Sequence, residues 1–374
     1  MRIGFDISPI TRTRTGVGVF CYYLLKHLVQ QGPECSFAGF SSGRYQVDLG
    51  PLRDTVPHRH IPVPTRVLYK VWTAFGIPKV DTLLGGVDVY HATNFFLPPT
   101  KTARSVVSIY DLSFLAVPEL CSPKIVRPFS TGVRRFAAEA DAVLACSEAT
   151  KSDIVNRLDV EAAKVTVTPG AVDEGFAPME REGAKAHVAK HYGINAPFLL
   201  FVGALEPRKN VPGLLRAFAL VAKDIPHNLV LVGPLGWNPR GLFETLEALD
   251  LGERVVRIGY VASHAELPAF YCAADAFVFP TFYEGFGLPL LEALTCGCPV
   301  VTSENSSVPE ATGGAAVYAD PTDVESIANG IRQVLEDAAL RESLIARGLE
   351  HARRFSWHAC ARTTLEVYRR LAPC

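Results

Sequence analysis

The chain has 374 residues, 48% of them apolar and 20% charged, with a formal net charge of −1. That length exceeds one ordinary core and suits two domains, and the balance is that of a folded chain rather than a disordered one. No apolar run is long enough to cross a bilayer as a helix.

The charge is unevenly placed. Residues 1–170 hold 19 Lys and Arg against 14 Asp and Glu, whereas residues 171–374 hold 18 against 24. This asymmetry is too small for a nucleic-acid-binding domain. It suits an anionic surface or substrate near the first half, or simply an uneven solvated surface. The start, MRIGFDISPI, reads as a first strand and lacks the cationic segment, apolar core and cleavage site of a signal peptide. Nine cysteines lie scattered, with Cys296 and Cys298 the only close pair. They are expected to be reduced and buried, and the protein cytoplasmic.

In chain order, RIGFDI, DVYHA, SVVSIY, DAVLAC and KVTVTP read as strands of a first series. Between the first two, RVLYKVWTAF (residues 66–75) puts Val67, Leu68, Val71, Trp72 and Phe75 on one helical face, with Arg66 and Lys70 opposite. Such a face packs on its own domain or lies in a membrane interface. Farther on, KIVRPFSTGVRRF adds Lys124, Arg127, Arg134 and Arg135 to the same half. Residues 168–183, TPGAVDEGFAPMEREG, break the pattern with Pro, Gly and acidic residues and mark a boundary. A second series follows in FLLFVG, NLVLVG, VVRIG and DAFVFP. Most of these runs are continuously apolar, as parallel strands buried on both faces are. Strands alternating with helices predict two doubly wound α/β domains, 1–170 and 171–355, with a final helix at about 356–374.

Two stretches of the second series carry chemistry. In FVGALEPRKN (201–210) a strand and a turn, with Gly203 at the bend, lead to Arg208 and Lys209 at the start of a helical segment. Cations oppose the dipole at a helix N-terminus, so they fit there when an anion lies beside them. In YEGFGLPLLEAL (283–294) Pro289 suits a first helical turn, leaving Glu284, Gly285 and Phe286 in the loop and Gly287 and Leu288 at the helix entrance. Free amides there attract a phosphate. Glu284 and Glu292 then read as acceptors for hydroxyls on either side of a diphosphate, or as a solvated loop residue and a dipole-favoured helix residue.

LFVGALEPRKN followed by PTFYEGFGLPLLEALTCGCPVV resembles the donor-site motifs of family 4 retaining glycosyltransferases, enzymes of GT-B architecture with two Rossmann-like domains facing a central cleft. DISPITRTRTGVGVF, DVYHATNFFLP, SIYDLSFL and ACSEATKSDI resemble the same family, bacterial mannosyltransferases in particular. The resemblance implies transfer of a hexosyl group, mannosyl by preference, from a nucleotide-diphosphate sugar to a glycan or polyprenyl-diphosphate-linked glycan in bacterial polysaccharide synthesis. GDP-mannose is the expected donor, with UDP- and dTDP-sugars as alternatives.

By position, the resemblance makes Arg208 and Lys209 neutralise the diphosphate, Glu284 bind the transferred sugar, and the Phe286–Leu288 backbone cradle the distal phosphate. Glu292 would hold the ribose, Tyr260 and Val261 the base, Gly16 and Gly18 a loop against the phosphates, and Gly203 would count among the donor-binding residues. His91, Asn94, Tyr110 and Asp111 fall on the acceptor side, with Asp111 a candidate to orient the acceptor hydroxyl or a cap at a strand end. Tyr110 stands where many relatives have histidine, and Val19 where many have arginine. No cofactor or metal is expected, since no Asp-x-Asp occurs and cations already face the diphosphate. A phosphorylase or epimerase relative, or an inactive sugar-nucleotide-binding subunit, would share these motifs. The family context also favours peripheral attachment to an anionic membrane at its inner face.

Overall fold

The computed structural model describes residues 1–13, 15–44, 46–261 and 266–372. It divides into two compact units: the first is built from 1–115, 124–170 and the chain from 356 onward, the second from 116–123 and 171–355. The short 116–123 segment thus groups with the second unit although it lies inside the expected 1–170 domain.

The first unit holds a sheet of seven strands in the order β3-β2-β1-β4-β5-β6-β7. They are β1 (Arg2–Asp6), β2 (Ser36–Ser42), β3 (His58–Ile61), β4 (Val89–Ala92), β5 (Arg104–Ile109), β6 (Ala142–Ala145) and β7 (Val165–Val167). Every pairing is parallel. β4 and β6 are buried along their whole length, as expected of strands covered on both faces. Two strands went unread in the sequence. β2, SFAGFSS, is rich in small and polar residues, and β3, HRHI, is a polar edge strand. At Gly39 in β2 a Cβ would stand 2.7 Å from the Ile7 side chain, so the small residue reflects packing.

The final helix, Trp357–Leu371, closes the first unit. Trp357 stacks on Tyr23 at 5.6 Å and meets Phe20 edge-on at 5.1 Å, both from the Gly16–Gln31 helix. Tyr368 reaches the sheet, its hydroxyl 2.6 Å from His91 Nδ1. Of the expected 356–374 segment, the last two residues lie outside the described residues.

The second unit holds a six-stranded parallel sheet in the order β10-β9-β8-β11-β12-β13. Its strands are β8 (Phe198–Val202), β9 (Asn228–Val232), β10 (Val255–Ile258), β11 (Ala276–Phe279), β12 (Val300–Thr302) and β13 (Val317–Tyr318). β12 and β13 are three and two residues long, too short for a periodicity to register. After β8 the chain turns at Gly203 (φ +150°) against Gly233 (φ +139°), where a Cβ would fall 2.1 Å from the Gly203 carbonyl oxygen. Only glycine fits there. In each sheet the order runs outward from two adjacent strands, β1 and β4 in the first and β8 and β11 in the second. Loops leaving such a pair diverge and open a crevice at the strands' carboxyl ends.

Candidate functional site

The loops after β8 and β11 bring the two motifs together. Pro207–Lys209 form one turn of 3₁₀-helix and end on Asn210 in the left-handed region (φ +54°), from which the Val211–Val221 helix departs. The Asn210 amide donates to the Pro321 carbonyl at 2.6 Å, fixing the turn. After β11, Thr281–Gly287 leads into the Leu288–Thr295 helix, with Gly287 at φ +94° as its cap. The amides of Phe286, Gly287 and Leu288 have no acceptor among the described residues. Three N–H groups at a helix entrance make an anion cradle.

Glu284 sits at the junction and is buried. Its Oε1 accepts from Lys209 Nζ, from the Thr281 hydroxyl at 2.8 Å and from Arg208 at 3.3 Å. Arg208 also donates to the Tyr283 carbonyl and pairs with Glu206 at 3.0 Å. Lys209 is buried as well, its ammonium 4.9 Å from the centre of the Phe279 ring. Burial acts most strongly on Glu284 and would raise its pKa, but Lys209 and Arg208, with the hydrogen bonds from Lys209 and Thr281, outweigh it and hold the group below its ordinary value. Burial lowers the Lys209 pKa, and Glu284 only partly restores it. Two adjacent cations at a helix start call for an anion beside them. In the structure that anion is the protein's own Glu284, whose Oε2 has no partner among the described residues and remains an acceptor for a ligand.

Glu292 differs in kind. It lies in the second turn of the 288–295 helix, buried, and its Oε2 accepts from the Tyr271 hydroxyl at 2.8 Å. Burial lifts its pKa to about 7, and the Tyr271 hydrogen bond opposes this only in part. Tyr260 is exposed and Val261 half-buried after β10. Several partners were not anticipated. The Glu284 amide donates to Ser306 Oγ at 2.8 Å, and Ser307 donates to the Glu284 carbonyl at 2.9 Å. Thr281, Glu206 and Tyr271 were likewise missed. Ser306 and Ser307 lie in SENSSVPE, a turn-rich run before a Pro-containing helix, which signals a loop but not which loop it will brace.

In the first unit the expectations need correction. Gly16 and Gly18 lie in the first turn of the Gly16–Gln31 helix, capped by Thr15, rather than in a loop. Among the described residues, nothing beyond its chain neighbours and its own helix backbone lies within 4 Å of where a Gly16 Cβ would stand. His91 does not line an open face: it is fully buried, its nitrogens contact Tyr368 at 2.6 Å and Ser108 at 2.8 Å, and burial lowers its pKa to about 3. Tyr110 packs edge-on against Phe20, its hydroxyl 3.3 Å from Cys21 Sγ. Asp111 Oδ1 accepts from the Ser113 amide and hydroxyl at 2.9 and 2.7 Å, which is the capping role. Asn94 is half-buried beyond β4. On the Thr65–Phe75 helix, Leu68 and Trp72 are buried and Trp72 Nε1 donates to the Pro78 carbonyl at 2.9 Å, so only Val67 and Phe75 remain exposed from the core of that apolar face. Among the described residues no helix is long and apolar enough to cross a membrane.

Two family models match: Glycosyltransferase Family 4 over residues 14–176 and Glycosyl transferases group 1 over residues 188–351. The O-antigen chain mannosyltransferase B of Escherichia coli is 35% identical over 285 residues, 76% of this chain and 74% of that protein. The chain belongs to the family 4 glycosyltransferases. Its fold is the GT-B fold with two Rossmann-like domains. Sucrose-phosphate synthase from Thermosynechococcus elongatus superposes with a TM-score of 0.79 at 21% identity, covering 99% of each chain. WaaG, a glycosyltransferase involved in lipopolysaccharide biosynthesis, gives 0.76 at 16% identity over 100% of both.

Proposed function

We propose that this glycosyltransferase moves a mannosyl group from GDP-mannose to the end of a glycan, with retention of configuration and without a resident metal. The carrying observation is the arrangement of Glu284, Lys209 and Arg208 beside the three amides of Phe286–Leu288 that have no acceptor among the described residues. The amides and the helix N-terminus receive the distal phosphate. Lys209 and Arg208, held in place by Glu284, face the negative charge that develops as the diphosphate departs. Glu284 Oε2 accepts from a hydroxyl of the transferred sugar, and Glu292 accepts from the ribose. The acceptor hydroxyl attacks the anomeric carbon on the leaving-group side, the bond from that carbon to the phosphate oxygen breaks, and the diphosphate takes the proton.

The mannosyl preference follows the 35% identity to an O-antigen chain mannosyltransferase, which also favours a polysaccharide acceptor, free or lipid-linked. A membrane-facing surface is part of the same proposal. Arg66, Lys70, Val67 and Phe75 are exposed on one helix, and Lys124, Ile125, Arg127, Arg134 and Arg135 on the Pro123–Glu139 helix, which packs on the first through Tyr69 and Phe136. Cations with isolated apolar residues between them suit an anionic lipid surface.

The test is a donor panel. Purified protein is given GDP-mannose, UDP-glucose, UDP-N-acetylglucosamine or dTDP-rhamnose, and nucleotide release and transfer are followed. Release of GDP with an α-linked product is expected. Turnover of UDP-sugars alone would overturn the donor, and an inverted product would overturn retention.

A further inference from the structure

Six described residues other than glycine have a positive φ, and four of them are Asn or Asp, which tolerate the left-handed region. One exception, Phe95, packs its ring against Phe114 and Phe129. The other is Ser306 (φ +46°), half-buried in the loop that follows β12. Glycine would take up this backbone without strain, whereas a serine has a Cβ to accommodate. Strain of this kind concentrates where a fixed geometry has a use, so the contacts of the Ser306 hydroxyl show what it serves.

That hydroxyl holds the backbone of Glu284. Ser306 Oγ accepts from the Glu284 amide at 2.8 Å and donates to Asn305 Oδ1 at 3.4 Å. Among the described residues the amide has no other acceptor. Neighbouring side chains complete a clamp: Ser307 donates to the Glu284 carbonyl at 2.9 Å, and Ser303 and Asn305 donate to the Thr281 carbonyl at 2.6 and 3.1 Å. Residues 303–307 thus grip both ends of the segment that carries Glu284. On the side chain only Oε1 is tied down, by Lys209, Arg208 and Thr281. The backbone supplies the second anchor that keeps the carboxylate from turning about that point. A displacement of about 1 Å at such a group can cost about two orders of magnitude in rate. The amides of Phe286–Leu288 are fixed separately, since the Gly287 carbonyl accepts from the Leu290 amide at 2.9 Å where the helix begins.

We infer that Ser306 is a positioning residue for sugar transfer: it anchors the Glu284 backbone and thereby aims the carboxylate oxygen that Lys209, Arg208 and Thr281 leave open. Its place in transfer rests on the glycosyltransferase reading, whereas the anchoring does not. Three substitutions separate positioning from stability. Ser306→Gly relieves the positive φ and removes the hydroxyl, and Ser306→Ala removes the hydroxyl alone. Ser306→Thr keeps the hydroxyl on a β-branched residue that fits the left-handed region poorly. The glycine variant should therefore melt above the alanine variant, and the threonine variant below wild type. With the nucleotide sugar turned over in the donor panel, kcat should fall at least about tenfold in the glycine and alanine variants and stay within about threefold in the threonine variant. The Kd for the matching nucleoside diphosphate should stay within about twofold in all three, since the amide cradle is held separately. Amide hydrogen exchange followed by NMR reads the anchor without turnover. The Glu284 N–H should exchange at least about tenfold faster than wild type in the glycine and alanine variants, and not in the threonine variant. Transfer within about threefold of wild type in Ser306→Gly, a kcat that follows melting temperature across the three variants, or unchanged exchange at Glu284 overturns the inference. Wild-type transfer in that case leaves the glycosyltransferase reading standing. If wild type turns over no nucleotide sugar, that reading fails and the exchange result alone decides whether Ser306 anchors Glu284.

Discussion

Glu292→Gln should stabilise the unliganded protein while weakening nucleotide binding. An unfolded glutamate loses its proton near 4.5, whereas Glu292 in the folded protein holds it to about 7 because of burial. Between those values the folded state carries the extra proton, so stability falls as pH rises, and the loss is complete above the folded pKa. At about 1.4 kcal/mol per pH unit, the interval from 4.5 to about 7 amounts to about 3.5 kcal/mol. Glutamine removes that loss and keeps a carbonyl oxygen for the Tyr271 hydroxyl, now 2.8 Å from Glu292 Oε2. Denaturant unfolding of both proteins from pH 5 to 8 should show nearly equal stability at the acid end. The variant should be more stable by about 2–3 kcal/mol at pH 8. Calorimetry with GDP should show wild-type affinity rising with pH through about 7 as the carboxylate forms, and no such rise in the variant. A variant less stable than wild type at pH 8, or a difference that ignores pH, refutes the reasoning. Unchanged nucleotide affinity would leave the burial argument intact and remove Glu292 from the ribose.

Lys209→Met should cost about 3–5 kcal/mol of stability as well as transfer, because it strips Glu284 of its closest cation in a buried setting. Adding Glu284→Gln should restore part of the stability and none of the activity, and an additive double mutant in denaturant titrations would show that the two are uncoupled. Transfer should survive chelation, since in the proposed site amides and cations would meet the diphosphate; loss on EDTA with recovery on magnesium or manganese would refute this. Anionic liposomes should bind the protein at low salt and release it with Arg66→Glu combined with Lys70→Glu, as sedimentation with vesicles will show. Transfer to the glycan by a protein that ignores such vesicles would make it an enzyme of soluble acceptors.

The sequence was most readable where one strand's chemistry decides the outcome. β8 and β11 are continuous apolar runs, and the loops after them carry their motifs in order, so Arg208, Lys209, Glu284 and Glu292 could be placed before any coordinates. Less was readable where a role depends on distant chain. His91 stands at the end of an apolar strand as a cavity residue would, but Tyr368, 277 positions later, takes one of its nitrogens. The apolar face of the 65–75 helix divides between core and surface, with Trp72 buried and Phe75 exposed, because the Pro78 carbonyl and Phe40 claim the indole. Nothing local announces either event.

Lys209 and Arg208 show a further limit of reading charge from position. Two cations before a helix implied a ligand anion, yet a carboxylate 75 residues farther along already satisfies Lys209. A site balanced in this way is stable without donor and does not collect anions indiscriminately. Selectivity must then come from what the balanced cluster leaves open: three amides at the helix entrance and one oxygen of Glu284. A bare phosphate engages the amides alone. In the proposed reading a nucleotide sugar would engage the amides through its diphosphate and the second oxygen of Glu284 through a sugar hydroxyl. On that proposal, the additional contact would discriminate a glycosyl donor from the nucleotide it leaves behind, and its loss would favour release of the spent diphosphate once the sugar has gone.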